Sequence, residues 1–91
     1  MVSPSINVIP ECPLSEIVDI AKEAEALGFE RCWVYDEGLE TRDVHVVMTA
    51  IAMATNKIEI GPGITNPYTR HPGQTAAAIA TLNELSHGRA F

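Results

Sequence analysis

A chain of 91 residues, 46% hydrophobic, 20% charged and 5% aromatic, is one small globular unit near the lower limit of what buries an adequate core unaided. A formal net charge of -6, with six scattered Lys and Arg, argues against nucleic-acid partners, and no apolar run or basic leader of the kind that enters a membrane is present, so a cytoplasmic setting is expected. Cys12 and Cys32 match neither a CxxC pair nor a zinc spacing and read as free thiols, Cys32 as a small core residue.

Residues 5–9 (Ser-Ile-Asn-Val-Ile) form a short β-rich run that stops at Pro10, and Ser15 is placed to cap the helix that follows. Ile17, Ile20, Ala21, Ala24 and Leu27 recur at helical spacing, with Gly28 as the terminator. Residues 31–35 (Arg-Cys-Trp-Val-Tyr) then read as a parallel strand covered on both faces, broken off at Asp36-Glu37-Gly38. Asp43 caps a second helix with Val44, Val47, Met48, Ile51 and Ala52 on one face, and Asn56 is expected to close it in the left-handed conformation. Residues 57–60 (Lys-Ile-Glu-Ile) make a third strand. It leads into a loop with two glycines and three prolines, residues 61–72, and Pro72 opens a third helix that directs Ala78, Ile79, Leu82 and Leu85 inward and stops at Gly88. Arg89-Ala90-Phe91 reads as the start of a fourth strand.

The terminators Gly28, Asn56 and Gly88 punctuate a βα repeat of roughly thirty residues, the period of either an open doubly wound sheet or a closed barrel. Because parallel strands point one way, Asn7 and Glu11, Asp36 and Glu37, and the loop from Gly61 to Arg70 converge on one C-terminal rim, where α/β folds bind ligands. Neither a Gly-x-Gly-x-x-Gly turn after the first strand nor a P-loop Lys follows the pattern of the common nucleotide sites.

The run Gly61-Pro62-Gly63-Ile64-Thr65-Asn66-Pro67-Tyr68-Thr69-Arg70-His71-Pro72 resembles a known family when it is taken on through Thr75-Ala76, Ile79-Ala80-Thr81-Leu82 and Ser86-His87-Gly88-Arg89-Ala90. That family is the bacterial-luciferase-like flavin- or deazaflavin-dependent oxidoreductases, and within it the methylenetetrahydromethanopterin reductases. Gly28-Phe29-Glu30 with Trp33 and Asp36 adds a weaker match. The resemblance implies a (β/α)8 TIM barrel, of which residues 1–91 form one partial domain: the first three βα units and the start of the fourth strand. It further implies a non-prolyl cis peptide at Gly63-Ile64 backing a deazaflavin ring, with Gly63, Ile64, Thr65 and Asn66 binding the cofactor. The cofactor is then coenzyme F420, with FMN as the alternative, and Asp36 lies beside its ring.

Two departures fall on the substrate side. Asn7 stands where the reductases carry a glutamate, and Asp36-Glu37 stands where they read Asp-His. Asp36 and Glu37 are therefore the candidates for substrate or proton handling, with Asn7, Glu11 and Arg70 as substrate-side candidates. Asp36 and Glu37 are equally read as a solvated strand-end turn, and Arg70 pairs with either of them as readily as with an anionic ligand. His71 serves the start of the third helix as readily as a ligand, while His45 and His87 read as structural. The expected activity is hydride transfer to a small-molecule substrate, and the alternatives are an FMN-dependent monooxygenase and a truncated, non-catalytic oligomeric scaffold. Exposed strand edges and inner-face residues Val8, Trp33, Val34 and Ile60 without an opposite wall lead to the expectation of a homo-oligomer.

Overall fold

The computed structural model describes residues 4–35, 42–63 and 72–91. They alternate strand and helix: β1 (Ser5–Val8), α1 (Leu14–Ala26), β2 (Arg31–Val34), α2 (Val44–Ala54), β3 (Glu59–Pro62) and α3 (Pro72–Leu85). The strands pair in parallel in the order β1-β2-β3, in the register Asn7, Trp33, Gly61 and Val8, Val34, Pro62, and Ala90 extends the sheet by a parallel bridge to Ile60. Sequential order with α1 against α2 and α2 against α3 puts the helices side by side. A doubly wound sheet would instead reverse its strand order and cover both faces.

The period of two along each strand divides the chain into a covered and an open face. Val8, Cys32, Val34, Ile58 and Ile60 are buried against Ile17, Ala21 and Ala24 of α1, Val44, Val47, Met48, Ile51 and Ala52 of α2, and Leu82 of α3. Ser5, Asn7, Arg31, Trp33, Glu59 and Gly61 alternate with them and face the other way. This corrects one expectation. Val8, Val34 and Ile60 belong to the helix-covered core and only Trp33 to the open face, and among the described residues the helices cover β2 on one side. Trp33 and Tyr35 share the parity of the other face, where Trp33 meets Phe91.

Helix boundaries follow backbone chemistry more closely than side-chain caps. The α1 cap position is Pro13 rather than Ser15: the Pro13 carbonyl accepts from the N–H groups of Glu16 and Ile17 at 2.9 and 3.2 Å, and no side chain caps the turn. Gly28 ends the helix at φ +92°, with Phe29 N–H donating to Ala24 O and Gly28 N–H to Glu25 O, the two bonds of a Schellman motif. In α3 the same motif places His87, not Gly88, at the first left-handed position (φ 58°), with Gly88 N–H donating to Asn83 O. Asp43 caps α2 as expected, its carboxylate accepting from His45 and Val46 N–H at 3.1 and 3.0 Å. Three residues expected inside are exposed: Ile20 (40%), Leu27 (72%) and Leu85 (45%). At about 100° per residue, Ile20 and Leu27 fall on the flank of the Ile17, Ala21, Ala24 stripe rather than on it.

Burial pushes the Cys32 thiol up to about 11, so little of it is thiolate at neutral pH, while Cys12 is half-buried. A thiol-specific disulfide reagent is expected to modify Cys12 alone in the native protein and Cys32 only after denaturant is added. Equal native rates at both would contradict this packing.

Candidate functional site

At the C-terminal ends of the strands the ladder runs one residue past each strand. Tyr35 N–H donates to Val8 O at 2.9 Å, and Gly63 N–H donates to Val34 O at 2.7 Å. The chain leaving β1 turns at once, with Glu11 N–H on Ile9 O at 2.8 Å. It is tied to the start of α2 by Arg42, whose N–H donates to Pro10 O at 3.1 Å and whose Nη1 donates to Glu11 O at 3.0 Å. The loops after β1 and β2 are thus stitched together where they re-enter the described chain.

The open face is built in rows across the sheet. The lowest row holds Ser5, Arg31 and Glu59, with Arg31 Nε 3.3 Å from Glu59 Oε1. With both side chains nearly half exposed, that ion pair contributes little stability. In the middle row, Asn7 is exposed and Trp33 meets Phe91 edge to face, ring centroids 4.5 Å apart. A Cβ on Gly61 would lie 2.8 Å from a Phe91 ring carbon and from the Phe91 carbonyl oxygen, so a side chain here requires Phe91 to shift. At the top, a Cβ on Gly63 would lie 2.5 Å from Tyr35 Cδ1 and 2.9 Å from Cε1. Gly63 therefore follows β3 with its backbone against an aromatic ring.

Of the residues singled out in the sequence, Asn7 lies on the open face near the end of β1, Glu11 is exposed in the loop after it, and Gly63 tops β3. Asn7 and Gly63 share the face, and Glu11 shares the end of the sheet. Asp36, Glu37, Ile64, Thr65, Asn66, Arg70 and His71, and with them the Gly63-Ile64 peptide bond, lie outside the described residues. Tyr35 and Arg42 were missed by the sequence reading. Tyr35 had a signal, because it has the same parity as Trp33 in β2 and directly precedes Asp36.

Arg89 was also missed, and it serves the opposite end of the sheet. Its guanidinium donates to Thr55 Oγ1, Ile58 O, Ala52 O, Thr55 O and Ser86 O at 2.8–3.1 Å, closing the end of α2. Glu25 Oε2 completes the same corner by accepting from the N–H groups of Asn56, Lys57 and Ile58 at 2.8, 2.6 and 3.0 Å. Thr55, in extended conformation, is therefore the cap, and the expected left-handed Asn56 is not needed. For Glu25, burial alone raises the pKa, but the three backbone donors, aided by Arg89, together outweigh it and hold the carboxyl below its ordinary value of 4.5. A carboxyl depressed on folding adds stability above its unfolded pKa that is lost as pH falls through the folded one. Glu25→Gln is thus expected to be less stable than wild type at neutral pH and to converge on it in acid, as read from denaturant midpoints. A pH-independent gap would contradict the role of the charge.

A groove walled by His45, Thr49, Ala77, Ala78, Thr81, Leu82 and Leu85 lies between α2 and α3 rather than on the open face. Among the described residues no His, Cys, Asp and Glu cluster is suited to a metal ion, and no helix is long and apolar enough to cross a membrane.

The family model described as luciferase-like monooxygenase matches residues 3–91. The chain belongs to this family. Within it, the chain is 46% identical over 86 residues to a 5,10-methylenetetrahydromethanopterin reductase of Methanolobus tindarius, a match that covers 94% of the chain and 26% of that reductase. The solved structure of the coenzyme F420-dependent tetrahydromethanopterin reductase from Methanopyrus kandleri superposes with a TM-score of 0.94 at 44% identity, over 99% of this chain and 26% of that one. The FMN-bound oxygenating constituent of 3,6-diketocamphane monooxygenase from Pseudomonas putida shares the fold at 17% identity and a TM-score of 0.80, over 99% and 29%. The luciferase-like chain described here thus spans about a quarter of the length of these relatives, and its parallel sheet belongs to the luciferase-like TIM-barrel fold.

Proposed function

We propose that residues 1–91 are the N-terminal part of a coenzyme F420-dependent oxidoreductase, a single (β/α)8 barrel of which they supply the first three βα units and the start of the fourth strand. Hydride transfer to or from a small-molecule substrate, of the methylenetetrahydromethanopterin kind, is the reaction this reading assigns. The observation that carries it is the side-chain-free approach at Gly63, at the ligand-binding end of β3, in a chain closely similar to F420-dependent reductases. Gly63 carries no side chain of its own, and the space a Cβ there would take is filled by the Tyr35 ring.

Bound F420 supplies the hydride, as cofactors supply the hard chemistry generally. This chain's share is to position. Gly63, Ile64, Thr65 and Asn66 hold the ring, Asp36 and Glu37 handle the substrate or a proton, and Asn7, Glu11 and Arg70 line the substrate side. The protein is cytoplasmic and a homo-oligomer in this reading. Exposed Val46, Met53 and Leu85 on the helical layer support the association.

Assay of the whole protein tests the reading. Anaerobic oxidation of reduced F420 on addition of the pterin substrate is expected. Turnover only with reduced FMN and oxygen would replace it by the monooxygenase alternative, and inactivity with both, in a protein that ends at Phe91, would favour the scaffold.

A further inference from the structure

We propose that Trp33 is a specificity-determining residue, its indole closing the inner end of the substrate space beside Asn7; this rests on the F420 reading above. In the middle row of the open face, Trp33 stands in register between Asn7 of β1 and Gly61 of β3. β3 offers no side chain at that level. Phe91, next to the Ala90 bridge on Ile60, fills the gap, its Cε1 lying 2.8 Å from where a Cβ on Gly61 would be. The Phe91 ring thereby crosses over β3 and meets the indole edge to face, ring centroids 4.5 Å apart.

The aromatic row is backed from below. The Arg31 guanidinium carbon lies 5.4 Å from the Phe91 ring centroid, and Arg31 Nε is 3.3 Å from Glu59 Oε1 in the row beneath. Above it, Tyr35 and Gly63 form the last row before the C-terminal end of the sheet. Ligands of (β/α)8 enzymes enter from that end, so a group that reaches down the open face meets the aromatic row before the charged one. At that depth Asn7 is exposed and Trp33, half-buried, is the apolar wall directly beside it. A large apolar surface with a few placed polar groups is how small-molecule sites fix orientation. The group this corner fits is a flat heteroaromatic ring of the substrate, with a polar edge on Asn7 and its apolar remainder against the indole.

The test compares wild type, Trp33→Phe, Trp33→Leu and Trp33→Ala in the whole protein, with KM for the pterin substrate, kcat, F420 affinity and melting temperature as readouts. Trp33→Ala is expected to raise KM for the pterin about tenfold, with kcat and F420 affinity little changed, because a wall that touches ground state and transition state alike is lost. Trp33→Phe keeps a flat ring and is expected to recover most of that loss. Trp33→Leu keeps apolar bulk without the flat wall, and is expected to show the raised KM at a melting temperature close to wild type. Added indole, which fits the space left in Trp33→Ala, is expected to lower the KM of that variant and to leave wild type unaffected. A wild-type KM in both Trp33→Leu and Trp33→Ala, whatever their melting temperatures, would reduce the indole to core packing and overturn the proposal while leaving the F420 reading intact. A loss of F420 affinity as large as the rise in KM would overturn it too. Failure of the wild-type protein to oxidise reduced F420 with the pterin would overturn that reading and this inference with it.

Discussion

Gly63→Val in the whole protein is expected to abolish useful F420 binding while leaving the fold largely in place. Even the first carbon of the new side chain falls 2.5 Å from Tyr35 Cδ1, and valine adds two further methyl groups on a β-branched, stiff side chain. Either the ring or the backbone must give way. The backbone is held by the 2.7 Å bond from Gly63 N–H to Val34 O, and Tyr35 by its own bond to Val8 O, so the strain falls on the contact between Gly63 and the Tyr35 ring itself. Overpacking of this kind costs about 1–3 kcal/mol, equivalent to roughly a ten- to hundredfold loss of affinity when it falls on the binding-competent loop position. Fluorescence titration with F420 beside a thermal melt separates the effects. Unchanged affinity with normal activity would remove this loop from the cofactor site.

The largest loss of stability is expected from Arg89→Ala. Its five hydrogen bonds reach four backbone carbonyls and one hydroxyl, joining the end of α2, the start of β3 and the end of α3, three segments that are otherwise only neighbours. Removing the guanidinium leaves carbonyls at a partly buried corner without a donor and leaves the Glu25 carboxylate without its nearby cation. Such losses cost about 1–3 kcal/mol for each group stranded away from water, and about 3–5 kcal/mol in total is the expected scale. A small domain has little more than that to lose, so the 91-residue chain carrying Arg89→Ala is expected to be unfolded under conditions where wild type retains its helical circular dichroism. Arg89→Lys should recover only a fraction, because an ammonium cannot span acceptors on three segments. A melting point within a degree or two of wild type would contradict the account of this corner.

These two sites also show what the sequence could and could not reveal. The βα period was legible because its terminators are local: Gly28 at a left-handed position and Asp43 on two backbone N–H groups need only neighbours within a few residues. Of the run from Gly61 to Pro72, the structure places Gly61 and Pro62 in β3 and Pro72 at the start of α3, and residues 64–71 lie outside the described residues. What stayed hidden involves partners about thirty residues apart. Arg89 read as the opening of a strand, yet its side chain turns back to residues 52–58, and Glu25, which no apolar pattern marks, caps the turn before β3. The open face was misassigned for a similar reason. Period two marks which residues alternate, but nothing in the alternation of β1 and β2 tells which set the helices will cover. The need for glycine at position 63 was visible, while its cause, the ring of Tyr35 on the neighbouring strand, required the register of β2 against β3.

The central claim is that the loop beginning at Gly63 is the surface on which a deazaflavin ring lies. A crystal structure of the whole protein with F420 tests it most directly. The account predicts the ring against the backbone of residues 63–66 on the open face of the sheet, with Asn7 and the end of β2 facing the same space. A ring bound elsewhere, with residues 63–66 away from it and Tyr35 no longer packed on Gly63, would contradict it.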